Sequence, residues 1–117
     1  MDRLLKLSDE ADEDLILIWA YTAKTYDLEQ AVEYTSLIHC ALDDIEEDPE
    51  RPTSRNHPEY GTLVRSYHIE YSKRRSGTRV RSPRHLILYT LKYDGLVLVL
   101  RILKDDMDPP RHIKEWE

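Results

Sequence analysis

The chain has 117 residues and a mass of 13.9 kDa, and residues 1–117 are expected to form a single domain; a 34% charged composition with 3 Gly excludes collagenous and low-complexity chains. No apolar run approaches the ~20 residues that span a bilayer. The acidic start lacks the apolar core of a signal peptide, and one cysteine, Cys40, excludes a disulfide framework or multi-cysteine zinc site, so a cytoplasmic domain is expected. The net charge of −6 is unevenly divided: residues 1–50 carry 15 acids and 3 bases, residues 51–84 carry 9 bases and 2 acids, and residues 85–117 are close to neutral.

In chain order, the short apolar stretch Arg3 to Leu7 predicts a first strand. Ser8 then reads as a helix N-cap, with Asp9, Glu10, Asp12 and Glu13 loading the first turn with charge that suits the helix dipole. Ala11, Leu15, Ile18, Trp19, Thr22 and Tyr26 recur at helical spacing. Asp27 caps a second helix, whose stripe runs through Ala31, Tyr34, Thr35, Ile38, Ala41, Leu42 and Ile45. The connection is so short that the helices must form an antiparallel hairpin. The second helix ends in Asp43-Asp44-Ile45-Glu46-Glu47-Asp48, where acids oppose the dipole, so this end should fray or find a basic neighbour.

Residues 49–62, with three prolines, read as an ordered loop. Leu63 to Tyr71 alternates as a half-buried strand, and Ser72 to Pro83 reads as a basic loop. His85 to Leu91 and Leu96 to Leu103 are the strongest strand signals, joined through Asp94-Gly95, a tight-turn pair. A short tail helix is expected near Asp108. The expected fold is therefore a two-layer α+β domain: an N-terminal strand, an antiparallel helical hairpin, a three-stranded antiparallel sheet and a short C-terminal helix. The hairpin covers one sheet face and leaves the other face, or a groove beside the hairpin, for a partner.

Arg101 interrupts the apolar run from Leu96 to Leu103, and period-two geometry places it on one face with Val97, Val99 and Leu103. A guanidinium among valines needs a partner or water. Two readings follow: a salt bridge to an acid of the first helix such as Asp14, or an anion-binding arginine on an open face. The basic middle of the chain likewise reads as a local anion-binding face or as a segment neutralised by the acidic helices. Asp105, Asp106 and Asp108 lack the pattern of a calcium loop, and no metal site or cofactor is expected. His39 and Cys40 read as structural. The chain has no glycine-rich phosphate loop, nucleophile elbow, His-Glu-x-x-His or Cys-x-x-Cys.

These residues resemble the ParE branch of the RelE/ParE toxins of type II toxin–antitoxin systems. The similarity is carried by Leu7-Ser8 with Ala11, Asp14-Leu15, Ile18 and Tyr21; by Ala31 and Tyr34; and by Val64-Arg65-Ser66 and Arg84-His85-Leu86-Ile87-Leu88-Tyr89. Most specific is Arg101-Ile102-Leu103-Lys104-Asp105-Asp106-Met107-Asp108 with Arg111-His112-Ile113. Position 104 is Lys where many members carry His, and the loop from Ser72 to Pro83 is longer than in the shortest members.

The resemblance implies a toxin neutralised by a small ParD-like antitoxin in a hetero-oligomer, acting on DNA gyrase without turnover. It implies neither membrane association nor specific DNA binding by the chain alone. Expected target-binding residues are Arg65, Arg84, His85, Arg101, Lys104, Met107 and Arg111; expected antitoxin contacts are Trp19, Tyr26, Tyr34, Tyr67 and Met107. The alternatives are a RelE-type ribosome-dependent endoribonuclease, using Arg65, Arg84, Arg101 and His112, or a decayed toxin that only binds its antitoxin. The acids following the last strand would repel the phosphates a nuclease must hold, so gyrase inhibition leads.

Overall fold

The computed structural model describes residues 4–107 and Pro109. Its elements are β1 (Leu4–Leu7), α1 (Asp9–Thr25), α2 (Leu28–Glu47), β2 (Arg55–Asn56), β3 (Val64–His68), α3 (Lys73–Ser76), β4 (His85–Thr90) and β5 (Leu96–Lys104). The strands form one sheet in the order β1-β5-β4-β3-β2. All pairs are antiparallel except β1 with β5. The α+β class matches the expectation, but the sheet is mixed and five-stranded: β1 joins it as a parallel edge, and a two-residue strand within the expected loop 49–62 forms the opposite edge. The expected tail helix lies outside the described residues.

Local chemistry sets the helix ends. Ser8 Oγ accepts the Ala11 N–H at 3.0 Å and donates to the Leu100 carbonyl at 2.8 Å, so one hydroxyl caps α1 and ties it to β5. Asp27 Oδ1 accepts the Gln30 N–H at 2.8 Å at the start of α2. The acidic end of α2 does find basic neighbours. Asp44, 4% exposed, lies 2.6 Å from Arg75 Nε and 3.9 Å from an Arg51 nitrogen, and it accepts the Ser72 hydroxyl at 2.6 Å. This anchor explains why the expected basic loop opens instead with the single turn of α3, closed by Gly77 in the left-handed region (φ 69°).

One core cluster joins Ala11, Leu37, Ile38, Ala41 and Ile45 of the helices to Tyr67, Ile87, Tyr89, Val97, Val99 and Ile102 of the sheet. Strand β3 is shorter than expected because the His68 imidazole accepts the Glu70 N–H at 3.1 Å and turns the chain into a 3-10 segment, Ile69–Ser72. Tyr67 is 1% exposed and its hydroxyl meets Ser72 Oγ at 2.8 Å. It is a core residue and cannot serve as the antitoxin contact expected of it.

A bulge in β5 corrects a second expectation. Tyr89 pairs with Val99 and Leu88 with Arg101, leaving Leu100 as the extra residue. Val97 and Val99 face the helices, whereas Leu103 packs with Val64, Leu88 and Leu100 on the opposite side, so no single face carries Arg101 with all three. That opposite side is not bare, for these four residues are at most 2% exposed. Open surface is found in a groove beside the hairpin.

Candidate functional site

The groove is a cleft of about 880 Å³ bounded by the helical hairpin, the segment 79–85, the end of β5 and Met107. One wall is apolar and faces solvent: Leu17, Tyr21 and Tyr26 are 59%, 66% and 69% exposed, and Met107 is 44% exposed. The other is cationic, with Arg79, Arg81, Arg84, Arg101 and Lys104 against, among the described residues of the lining, the one carboxylate of Asp14. An acidic chain thus carries at this cleft a local excess of positive charge.

The basic rim has no regular secondary structure, yet it is pinned along its length. Glu33 accepts the Thr78 hydroxyl at 2.6 Å and the Arg79 N–H at 3.1 Å, and these hydrogen bonds hold its carboxyl below the ordinary carboxylate pKa. Lys73 Nζ donates to the Arg81 carbonyl at 2.6 Å. Val80 packs against the core, and the Arg84 N–H donates to the Tyr34 hydroxyl at 3.0 Å. Held this way, the rim presents Arg79 and Arg81 at the cleft without ordering a mobile loop on each encounter.

Arg101 adopts the salt-bridge reading of the two offered by the sequence. Its Nε and Nη2 lie 2.7 and 2.8 Å from the two Asp14 oxygens. Asp14 Oδ2 also accepts the Ile102 N–H at 2.9 Å. The register of β1 reaches only Val99, so the carboxylate takes a backbone donor on the β5 edge that β1 leaves unpaired. The hydrogen bond from Arg101 to Asp14 raises the guanidinium pKa further.

Arg84 Nε lies 3.0 and 3.3 Å from the Asp105 oxygens, and His68 Nε2 meets Asp105 Oδ2 at 3.0 Å. Burial opposes ionisation of Asp105, but the bonds from His68 and Arg84 outweigh it and leave the carboxyl below its ordinary pKa. His85 Nδ1 lies 2.6 Å from the Tyr34 hydroxyl, and burial pushes the imidazole pKa down to about 4. Burial likewise raises that of Tyr34, keeping the phenol protonated.

The cleft therefore brings together Tyr26, Tyr34, Arg84, His85, Arg101, Lys104 and Met107 from the residues expected to bind partners. Arg65 stands apart, bonded to Ser54 Oγ at 2.7 and 3.1 Å and paired with Tyr89. Tyr89 is four residues along β4 from His85, roughly 13 Å at strand rise. Trp19 is 40% exposed but lies outside the cleft lining, and Arg111 and His112 lie outside the described residues. Sequence reasoning missed Leu17, Tyr21, Arg79 and Arg81 as cleft residues. The available signal was that Leu17 and Tyr21, four apart, are apolar yet fall off the core stripe of α1.

It also missed a Ser–His–Glu chain: His57 Nε2 meets Ser66 Oγ at 2.8 Å, and His57 Nδ1 meets Glu59 Oε2 at 2.9 Å. Ser66 is 7% exposed in a strand paired on both sides, so its hydroxyl ties β3 to the neighbouring turn and is not an accessible nucleophile. Among the described residues no group of three His, Cys, Asp or Glu is placed to hold a metal ion, and no helix is long and apolar enough to cross a membrane.

Residues 5–109 match the family model described as the ParE toxin of the type II toxin–antitoxin system, parDE. Among solved structures, a chain of the chromosomal ParDE TA system from P. aeruginosa superposes with a TM-score of 0.66 at 18% identity, covering 87% of this chain and 95% of that one. No curated protein matches in sequence.

Proposed function

Because the chain belongs to the ParE toxin family of type II toxin–antitoxin systems, we propose that it is held inactive by a cognate antitoxin whose acidic, amphipathic segment occupies the cleft. One observation carries this reading: the pairing of an exposed apolar wall (Leu17, Tyr21, Tyr26, Met107) with a cationic wall (Arg79, Arg81, Lys104) on a chain of net charge −6. An amphipathic helix seats its apolar side on the first wall and its carboxylates on the second, which is the helix-in-groove mode. The antitoxin of a ParDE system is the natural source of such a segment, and the structural relative from P. aeruginosa comes from a system of that kind.

The released toxin acts on DNA gyrase by binding and without turnover. The groups an RNA-cleaving site would use are already engaged within the chain, Arg101 with Asp14 and Arg84 with Asp105. His85 gives its Nδ1 to Tyr34, and Arg65 lies elsewhere. Supercoiling assays with purified protein test the target. Inhibition that scales with the toxin-to-gyrase ratio and is reversed by the product of the neighbouring gene is expected. Intact supercoiling at high micromolar toxin, together with codon-phased cuts in translated message, would replace this reading with ribosome-dependent nuclease action.

A further inference from the structure

The cleft holds one imidazole whose hydrogen bonding is settled from one side. The Arg84 N–H donates to the Tyr34 oxygen at 3.0 Å, and that oxygen stands 2.6 Å from His85 Nδ1. An amide can only donate, so it occupies one lone pair of the phenol, and among the described residues His85 Nδ1 is the acceptor that stands within reach of the phenol's proton; we infer that the proton goes there. The ring proton is then on Nε2. Nε2 bonds to no described residue, yet no buried side-chain nitrogen among them lacks a partner, so solvent reaches Nε2, and His85 is a residue of the cleft lining. Burial favours the neutral ring, and the donor therefore persists at physiological pH.

The cross-strand partner of His85 is Lys104, which also lines the cleft. Such partners stand about 4.5–5.5 Å apart at Cβ. The two carboxylates whose charge acts on His85 are engaged elsewhere, Asp105 by Arg84 and His68 and Asp14 by Arg101. We propose that His85 and Lys104 form a carboxylate-binding subsite of the cleft, Nε2–H donating to one oxygen and the ammonium pairing with the charge, with Tyr34 as the positioning residue that fixes the imidazole tautomer. The assignment rests on the reading of the cleft as the seat of an acidic segment, and it names the contact that sets that segment's register.

Histidine-labelled protein, observed through two-bond proton–nitrogen couplings near neutral pH, tests it without any partner. His85 is expected to show the Nε2–H pattern and to shift saturably with sodium acetate, more than with inorganic phosphate or with sodium chloride at equal ionic strength. Tyr34→Phe is expected to erode the tautomer preference and weaken acetate binding about threefold to tenfold, the worth of one hydrogen bond. Lys104→Met should weaken acetate binding with the tautomer intact, and this variant decides the matter if Tyr34→Phe does not fold. An Nδ1–H pattern in the unmodified chain, no saturable acetate response, or a larger response to phosphate would overturn the subsite. A subsite that fails on acetate leaves the cleft reading standing, whereas a bound antitoxin that leaves the cleft uncovered refutes that reading whatever acetate does.

Discussion

Asp14 makes three contacts at once, accepting from Nε and Nη2 of Arg101 and from the Ile102 amide. Asp14→Ala removes two hydrogen bonds from a partly buried guanidinium and one from an edge amide, and a loss of about 2–3 kcal/mol is expected in urea unfolding, with Asp14→Asn intermediate. His85 sets a pH dependence. Its pKa in the fold is about 4, against an ordinary value of 6.5, so the unfolded chain takes up the proton first as pH falls. Its contribution to stability is intact above 6.5 and declines between 6.5 and 4 by up to about 3 kcal/mol. His85→Gln should flatten that limb of the profile. At this scale the sequence was partly legible. Asp14 could be named as the partner of Arg101 because a lone guanidinium in an apolar strand demands one. The Tyr34–His85 contact, spanning 51 positions, has no local signature.

Elements with a strong periodic or capping signal were read well, and those made by tertiary contact were not. The helical hairpin follows from Ser8, Asp27 and two apolar stripes, and β4 and β5 follow from continuous apolar runs. Strand β2 has two polar residues and exists only because β3 offers a ladder, while α3 exists because Asp44 holds Arg75. The bulge at Leu100 leaves no trace in an unbroken apolar pattern, which is why period-two counting misplaced Arg101 relative to Leu103. Ser8 tests this level directly. Ser8→Ala removes an N-cap and the bond to Leu100, so a loss of about 1–2 kcal/mol is expected; an unchanged unfolding midpoint would show that the α1–β5 tie is dispensable.

Across the whole molecule, charge is sorted in space as well as along the chain. Part of the basic middle segment neutralises the acidic end of α2 through Arg51 and Arg75, so the reading of internal neutralisation holds for those two arginines. The cations at the cleft outside the Arg84–Asp105 and Arg101–Asp14 pairs, Arg79, Arg81 and Lys104, are the share left to attract a partner. Association with the antitoxin should therefore weaken steeply with added salt, chiefly through a slower on-rate. Reversing Arg79 and Arg81 to Glu should weaken the complex more than tenfold while leaving the unfolding midpoint nearly unchanged. Hydrogen exchange of the chain, with and without the product of the neighbouring gene, reaches the central claim most directly. Slowed exchange concentrated in segments 17–26, 79–85 and 101–107 is the expected result, and protection confined to β1, β2 or the 3-10 segment Pro58–Tyr60, with the cleft unaltered, would contradict it.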